Sequence, residues 1–185
     1  MRKIINATYV TLDGDMTNMQ DWHMDYFGEE AGKAATAQLV SSDALIMGRK
    51  TYEGFAPAWS GRAGADEFAD RMNGIKKYVV SSTLREPDWE NTSVISGDVV
   101  AEVRKLKERP GGNILQYGFG PVTRLLLDNG LLDEFRVWLH PVLSGKAKPD
   151  DLLYRDALQT KFTLNGTEVH SAGMIILSYV PVRPA

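Results

Sequence analysis

The chain has 185 residues, 43% of them hydrophobic and 24% charged, and a formal net charge of -3. That is ordinary globular composition, sized for one domain over 1–185 that buries about 70% of its unfolded surface. The absence of cysteine excludes a disulfide framework, a thiolate zinc site and a cysteine nucleophile, and the acidic balance argues against a broad nucleic-acid or membrane-binding face.

Met1-Arg2-Lys3-Ile4-Ile5-Asn6 starts basic but lacks the apolar core of a signal peptide, and no run of about 18 apolar residues follows it. The expectation is a cytoplasmic protein. Ile4 to Val10 reads as a strand closed by the turn signal Leu12-Asp13-Gly14-Asp15, and residues 15 to 28 read as a long irregular loop carrying Trp22. Glu29 to Ser42 reads as a helix with a small-residue face of Ala31, Ala34, Ala35 and Leu39, and Ala44 to Met47 as a short buried strand ending at Gly48.

A helix over Ala65 to Asn73 stops at Gly74, and strands follow at Tyr78-Val79-Val80 and Val94-Ile95. Asp98 is placed to cap a helix that Pro110-Gly111-Gly112 ends, with Lys105, Lys107 and Arg109 on an expected solvated face. Ile114 to Tyr117 runs into Gly118-Phe119-Gly120-Pro121, with proline suited to the first turn of the next helix, which ends at Asn129-Gly130. Phe135 to His140 alternates as a half-buried strand, and Phe162 to Leu164 with Met174 to Val180 reads as a closing hairpin. Strands alternating with helices predict an α/β fold: a three-layer α/β/α sandwich on a central mixed, mostly parallel sheet.

In such sheets ligands bind beyond the carboxyl ends of the strands, and three ends carry unusual residues. Gly48-Arg49-Lys50-Thr51 follows one: glycine lets a ligand approach the backbone, a helix start favours an anion, and Arg49 offers a planar fork for phosphate. Ser81-Ser82-Thr83 places three hydroxyls after another. Gly118 to Val122 resembles a phosphate-cradling turn without the full dinucleotide fingerprint. Each has an ordinary counterpart, a strand-to-helix turn with solvated cations or hydroxyls capping a turn. Together they would surround an elongated ligand with several phosphates.

Met47-Gly48-Arg49-Lys50-Thr51-Tyr52-Glu53 resembles the Gly-Arg-x-Thr segment of dihydrofolate reductases and of the reductase domain of riboflavin-biosynthesis enzymes. Thr11-Leu12-Asp13-Gly14, Val80 to Leu84, Gly130 to Phe135 and His140-Pro141-Val142-Leu143 resemble further segments of that superfamily, in its order. The resemblance implies NADPH as cofactor. Arg49 would pair with the adenosine 2′-phosphate, helped by Ser81, Ser82 and Thr83; Gly48, Lys50 and Thr51 would meet the pyrophosphate; Tyr117, Gly118, Phe119, Gly120, Pro121 and Val122 would wrap its other side. Where folate reductases carry a helical carboxylate this chain has Gly32, which directs the expectation away from dihydrofolate.

On the substrate side the candidates are Asp13, as proton donor if burial raised its pKa or as substrate ligand, with Trp22, Tyr52 and Trp59 lining the cleft. Each has a packing counterpart: a turn cap for Asp13, a loop anchor for Trp22, a core position for the other two. His23, His140 and His170 are far apart in sequence without ligand spacing, so no metal is expected. Trp138 shares a strand face with Arg136 and His140, which suggests an association surface unless a helix covers it, and riboflavin-type relatives imply a homodimer. The expected function is NADPH-dependent reduction of a small heterocyclic or carbonyl molecule. The alternatives are the riboflavin-pathway 5-amino-6-(5-phosphoribosylamino)uracil reductase, a dihydrofolate reductase, or a non-catalytic nucleotide-binding dimer.

Overall fold

Ile4–Thr11 forms β1, buried at almost every position because a strand is hydrogen-bonded to it on each side and a core cluster covers each of its faces. A computed structural model describes residues 1–153 and 159–182. Helix α1 (Glu29–Val40) leads from β1 to β2 (Ser42–Gly48), and α2 (Arg49–Trp59) and α3 (Glu67–Gly74) lead on to β3 (Lys76–Val80) and β4 (Thr92–Ile95). Helix α4 (Val99–Glu108) returns the chain to β5 (Asn113–Tyr117), and α5 (Pro121–Asp128) crosses to β6 (Glu134–His140). The strands β7 (Phe162–Val169) and β8 (Ile175–Pro181) close the sheet. Asp98 caps α4 through the Ala101 N–H at 3.0 Å, and Asp66 caps α3 through the Ala69 N–H at 2.8 Å.

The strand order is β4-β3-β2-β5-β1-β6-β8-β7, and the pairings are parallel except those of β8. Return of the chain to insert β5 between β2 and β1 creates the switch point where open sheets bind ligands. Period-2 alternation sorts the side chains. Ile5, Ala7, Leu45, Met47, Leu115 and Trp138 face α1, α2 and α3, whereas Ile4, Ala44, Ile46, Ile114 and Phe135 face α4 and α5. This is the three-layer sandwich, with the mixed, mostly parallel sheet at its centre.

Two surface expectations are corrected. Trp138 is 1% exposed, because the alanine face of α1 and Tyr9 cover it. Lys107 is buried rather than solvated, its Nζ donating to the Leu131 carbonyl at 2.8 Å and pairing with Asp133. That carboxylate also accepts the Ile4 N–H at 2.8 Å, so it ties α4 to the start of β1. The opposite face of the β6–β8 pair is the less covered one. Leu139, Ile175 and Leu177 stand half-exposed there, beside exposed Val169 and Leu164 of β7. Among the described residues no helix is long and apolar enough to cross a membrane.

Candidate cofactor and substrate site

The three unusual strand ends belong to β3, β2 and β5, which are consecutive in the sheet and parallel. They therefore open along one edge. Gly48 is the N-cap of α2 and supplies no side chain to its first turn, leaving the N–H groups of Arg49, Lys50 and Thr51 to an outside acceptor. Helix α5 starts beside it. A Cβ on Gly48 would sit 3.4 Å from Val122 Cγ2, and one on Gly118 would sit 3.9 Å from Thr51 Oγ1. Gly118 adopts φ 74°, the left-handed region that favours glycine, and its carbonyl is fixed by Asn6 Nδ2 at 2.7 Å. Thr123 Oγ1 accepts the Gly120 N–H at 3.2 Å.

Arg49 and Thr83 come together as expected. The guanidinium donates from Nη1 to Thr83 Oγ1 at 2.5 Å and from Nε to Glu53 at 2.6 Å, so a long side chain is held at the edge with its second terminal nitrogen unpartnered among the described residues. Lys50 and Ser82 are exposed beside it. Three of the predicted cofactor contacts need correction at the level of the side chain. Ser81 Oγ is already an acceptor for the N–H groups of Thr83 at 3.1 Å and Leu84 at 3.0 Å, so it builds the turn. Tyr117 points into the α1–α2 layer against Phe55, and Phe119 packs on Phe135, which leaves their backbones to the cradle.

The substrate-side candidates are redistributed more sharply. Asp13 accepts from Thr11 Oγ1 and from the N–H groups of Ser144 at 3.0 Å and Gly145 at 2.9 Å, clamping the turn after β1 to the segment after β6. The hydroxyl and backbone donors pull its pKa from 3.8 down to about 2, the reverse of what a proton donor at neutral pH needs. Trp22 is 3% exposed and donates from Nε1 to the Thr17 carbonyl at 3.0 Å, so it anchors the loop, which holds a 3-10 turn at Met19–Asp21. Tyr52 is buried, its hydroxyl donating to Asp88 at 2.7 Å and accepting from Trp89 N–H at 3.1 Å. Trp59 is the last residue of α2, at the opposite end of the helix from Arg49, packed on Phe68 under Arg62.

On the α1–α2 side of the sheet, Tyr9, Phe27, Phe55 and Tyr117 are partly buried against the core cluster that includes Ala31 and Ala35 of α1. Tyr9 was not singled out from the sequence, and the signal that could have found it is its place as the last large residue of β1 on the α1-facing side. Burial, the dominant cause in each, raises the pKa of both phenols far above the usual range, so they stay neutral. The structure also joins two histidines that 117 positions separate: His23 Nδ1 lies 3.1 Å from His140 Nε2. Burial lowers the pKa of His23 from 6.5 to about 4, with the neighbouring His140 adding to it. Burial lowers that of His140 too, against the opposing pull of the Trp138 and Val10 carbonyls. No spacing rule reveals this pair, since it forms only when the loop folds over β6.

A mostly parallel sheet with glycine-led helices starting from neighbouring strand ends is the architecture of dihydrofolate reductase-like proteins. Within that class, the model of the RibD C-terminal domain matches residues 2–176, and the chain belongs to this reductase family. Among curated proteins it is 29% identical over 181 residues to YyaP of Bacillus subtilis (strain 168), itself uncharacterized, with 96% of this chain and 94% of that one covered. A solved structure from Shewanella sp. PV-4, described provisionally as a riboflavin biosynthesis protein, superposes with a TM-score of 0.76 at 20% identity, over 98% and 99% of the two chains. The Thermotoga maritima diaminohydroxyphosphoribosylaminopyrimidine deaminase/5-amino-6-(5-phosphoribosylamino)uracil reductase gives a TM-score of 0.66 at 15% identity, over 98% of this chain and 57% of that longer one.

Proposed function

We propose that this protein is an NADPH-dependent reductase acting by hydride transfer on a small heterocyclic or carbonyl substrate. The observation that carries the reading is the edge formed by β3, β2 and β5, where a bare glycine N-cap, a left-handed Gly118 and a tethered Arg49 converge. The residues present fit the cofactor. Arg49, with Thr83 and Ser82, suits a dianionic 2′-phosphate, since an always-charged planar fork binds phosphate better than ammonium does. Lys50, Thr51 and the start of α2 suit the pyrophosphate from one side and the Gly118 to Val122 turn from the other. When bound, NADPH supplies the hydride. The chain's own part is orientation and exclusion of water, with Asp13 holding the turn after β1 against the segment after β6.

NADPH oxidation followed by absorbance, across a panel of pyrimidine, pterin and carbonyl compounds, tests the reading. Turnover with at least one member is expected. A protein that binds NADPH but never oxidises it would instead be a nucleotide-binding relative without activity. We also infer a homodimer in the cytoplasm, formed through the half-exposed apolar face of Leu139, Ile175 and Leu177 rather than through Trp138. Leu177→Glu should turn a dimer into a monomer in sedimentation. An unchanged oligomeric state would remove that face from the interface.

A further inference from the structure

Asparagine is a poor strand residue, and a buried amide costs free energy unless its donors and acceptor are met. Asn6 is nevertheless fully buried within β1, on the face that Ile4, Ile114 and Phe135 make apolar around it. Three more buried polar residues gather on it: Thr8, Gln116 and Thr123. The Thr8 hydroxyl donates to Asn6 Oδ1 at 2.8 Å. Asn6 Nδ2 donates to Gln116 Oε1 at 3.0 Å and to the Gly118 carbonyl at 2.7 Å. A backbone carbonyl only accepts, so the atom facing the Gly118 oxygen is the amide nitrogen, and the two nearest acceptors use both its protons. An apolar set would pack this face without such a network. Polar residues that break the strand's pattern and satisfy one another mark a functional constraint.

What the network holds is the Gly118 turn. Gly118 is exposed and adopts φ 74°, and a glycine left to itself takes many other conformations. Asn6 ties its carbonyl down from below. Thr123 Oγ1, which lies 3.4 Å from that carbonyl and accepts the Gly120 N–H at 3.2 Å, ties the turn to the start of α5. The spacing between the starts of α5 and α2 follows from this tether. It is close, since a Cβ on Gly118 would sit 3.9 Å from Thr51 Oγ1 and one on Gly48 would sit 3.4 Å from Val122 Cγ2.

We propose that Asn6 is the positioning residue of the dinucleotide site, holding the Gly118 turn in the geometry that receives the pyrophosphate of NADPH. This rests on the reductase reading of the β3-β2-β5 edge and deepens it, because affinity there divides into two separate parts. Arg49 reads the 2′-phosphate, which NADPH carries and NADH lacks. The turn held by Asn6 acts on the pyrophosphate, which the two cofactors share. Without the tether the turn spends a fraction of its time in the receiving geometry, and affinity for either dinucleotide falls by that fraction.

Calorimetric titration of the whole protein with NADP+, NAD+ and adenosine 2′-monophosphate, in the parent, Asn6→Leu and Thr8→Val, tests this. Asn6→Leu removes the amide and stays close to it in shape. It should weaken NADP+ and NAD+ by the same factor, about tenfold, the worth of the lost hydrogen bond. Adenosine 2′-monophosphate, which has no pyrophosphate, should bind as it does to the parent. Thr8→Val loosens the amide without removing it and should show the same pattern at about threefold. It decides the matter if Asn6→Leu does not fold. An equal loss for adenosine 2′-monophosphate would mean general damage, and a loss confined to NADP+ would put Asn6 with the 2′-phosphate. Unchanged dinucleotide affinity in the folded variants would leave Asn6 as packing alone. Each of these overturns the inference and leaves the reductase reading standing, provided that the parent binds NADP+. Failure of the parent to bind NADP+ removes that reading and this inference together.

Discussion

Two sets of strand ends lie along the same edge of the sheet, and they use their polar residues in opposite ways. At the ends of β1 and β6 the groups are spent on one another: Asp13 on Thr11, Ser144 and Gly145, Trp22 on Thr17, His140 on Trp138. At the ends of β3, β2 and β5 the donors stay open, from the first-turn N–H groups of α2 to Arg49, which is held but about half exposed. On the proposed reading the first region is a mount that joins the ends of β1 and β6, and the second is a receptor for an anionic ligand. Substitutions in the mount should therefore change stability and those in the receptor should change affinity, with little exchange between the two.

The largest expected effect is in the mount. Trp22→Ala removes a side chain only 3% exposed and should cost about 3–4 kcal/mol in urea unfolding. NADPH affinity of the folded fraction should stay within a few-fold. Lost affinity at unchanged stability would move Trp22 into the receptor and break the division. Asp13→Asn comes next, at about 1–2 kcal/mol, discounted because the carboxylate is reached by solvent. Its pKa is held near 2, below the ordinary 3.8, so the contribution is whole above pH 4 and is lost as the pH falls through 2. A variant as stable as the parent at pH 7 and much slower in turnover would return Asp13 to the chemistry.

The histidine pair gives a smaller effect with its own pH window. His23 is held near 4 against an ordinary 6.5, so between those values the unfolded chain binds a proton that the folded chain refuses. Stability should fall as the pH drops from 6.5 to 4, and His23→Gln should flatten that fall in denaturation midpoints taken at stepped pH. An identical slope in the variant would mean that another group sets the acid limb. In the receptor, Ser82→Ala should weaken NADPH only about twofold to threefold, because one exposed hydroxyl adds little beside a guanidinium.

The local elements of the proposed receptor were legible in the sequence because their signals are local. A strand, a glycine and a helix start occupy consecutive positions at Gly48 and at Gly118, and the cap at Asp98 lies three residues from the N–H it accepts. What the sequence withheld was the order of the strands, which alone makes three separate turns into one edge. The substrate-side candidates were misread for a related reason. Asp13 meets Ser144 and Gly145 from 131 and 132 positions away, and Tyr52 meets Asp88 from 36. Until those partners are known, a polar residue after a strand looks the same whether it awaits a ligand or already has a neighbour. Trp138 failed differently, since period-2 alternation assigns a face but not what lies against it, and α1 brings alanines to that face. Lys107 was misplaced because a lysine on a basic helix reads as solvated, whereas a half-buried carboxylate on the segment after α5 receives it.

The central claim is that the β3-β2-β5 edge holds NADPH through Arg49. The most direct test is calorimetric titration of the parent protein and of Arg49→Ala with NADPH and, separately, NADH, in phosphate-free buffer. The account predicts clear preference of the parent for NADPH, and a loss in Arg49→Ala on the order of 100-fold for NADPH, about 2.7 kcal/mol, with NADH almost unchanged. Equal losses for both cofactors would take the 2′-phosphate away from Arg49. No binding of either by the parent protein would contradict the account as a whole.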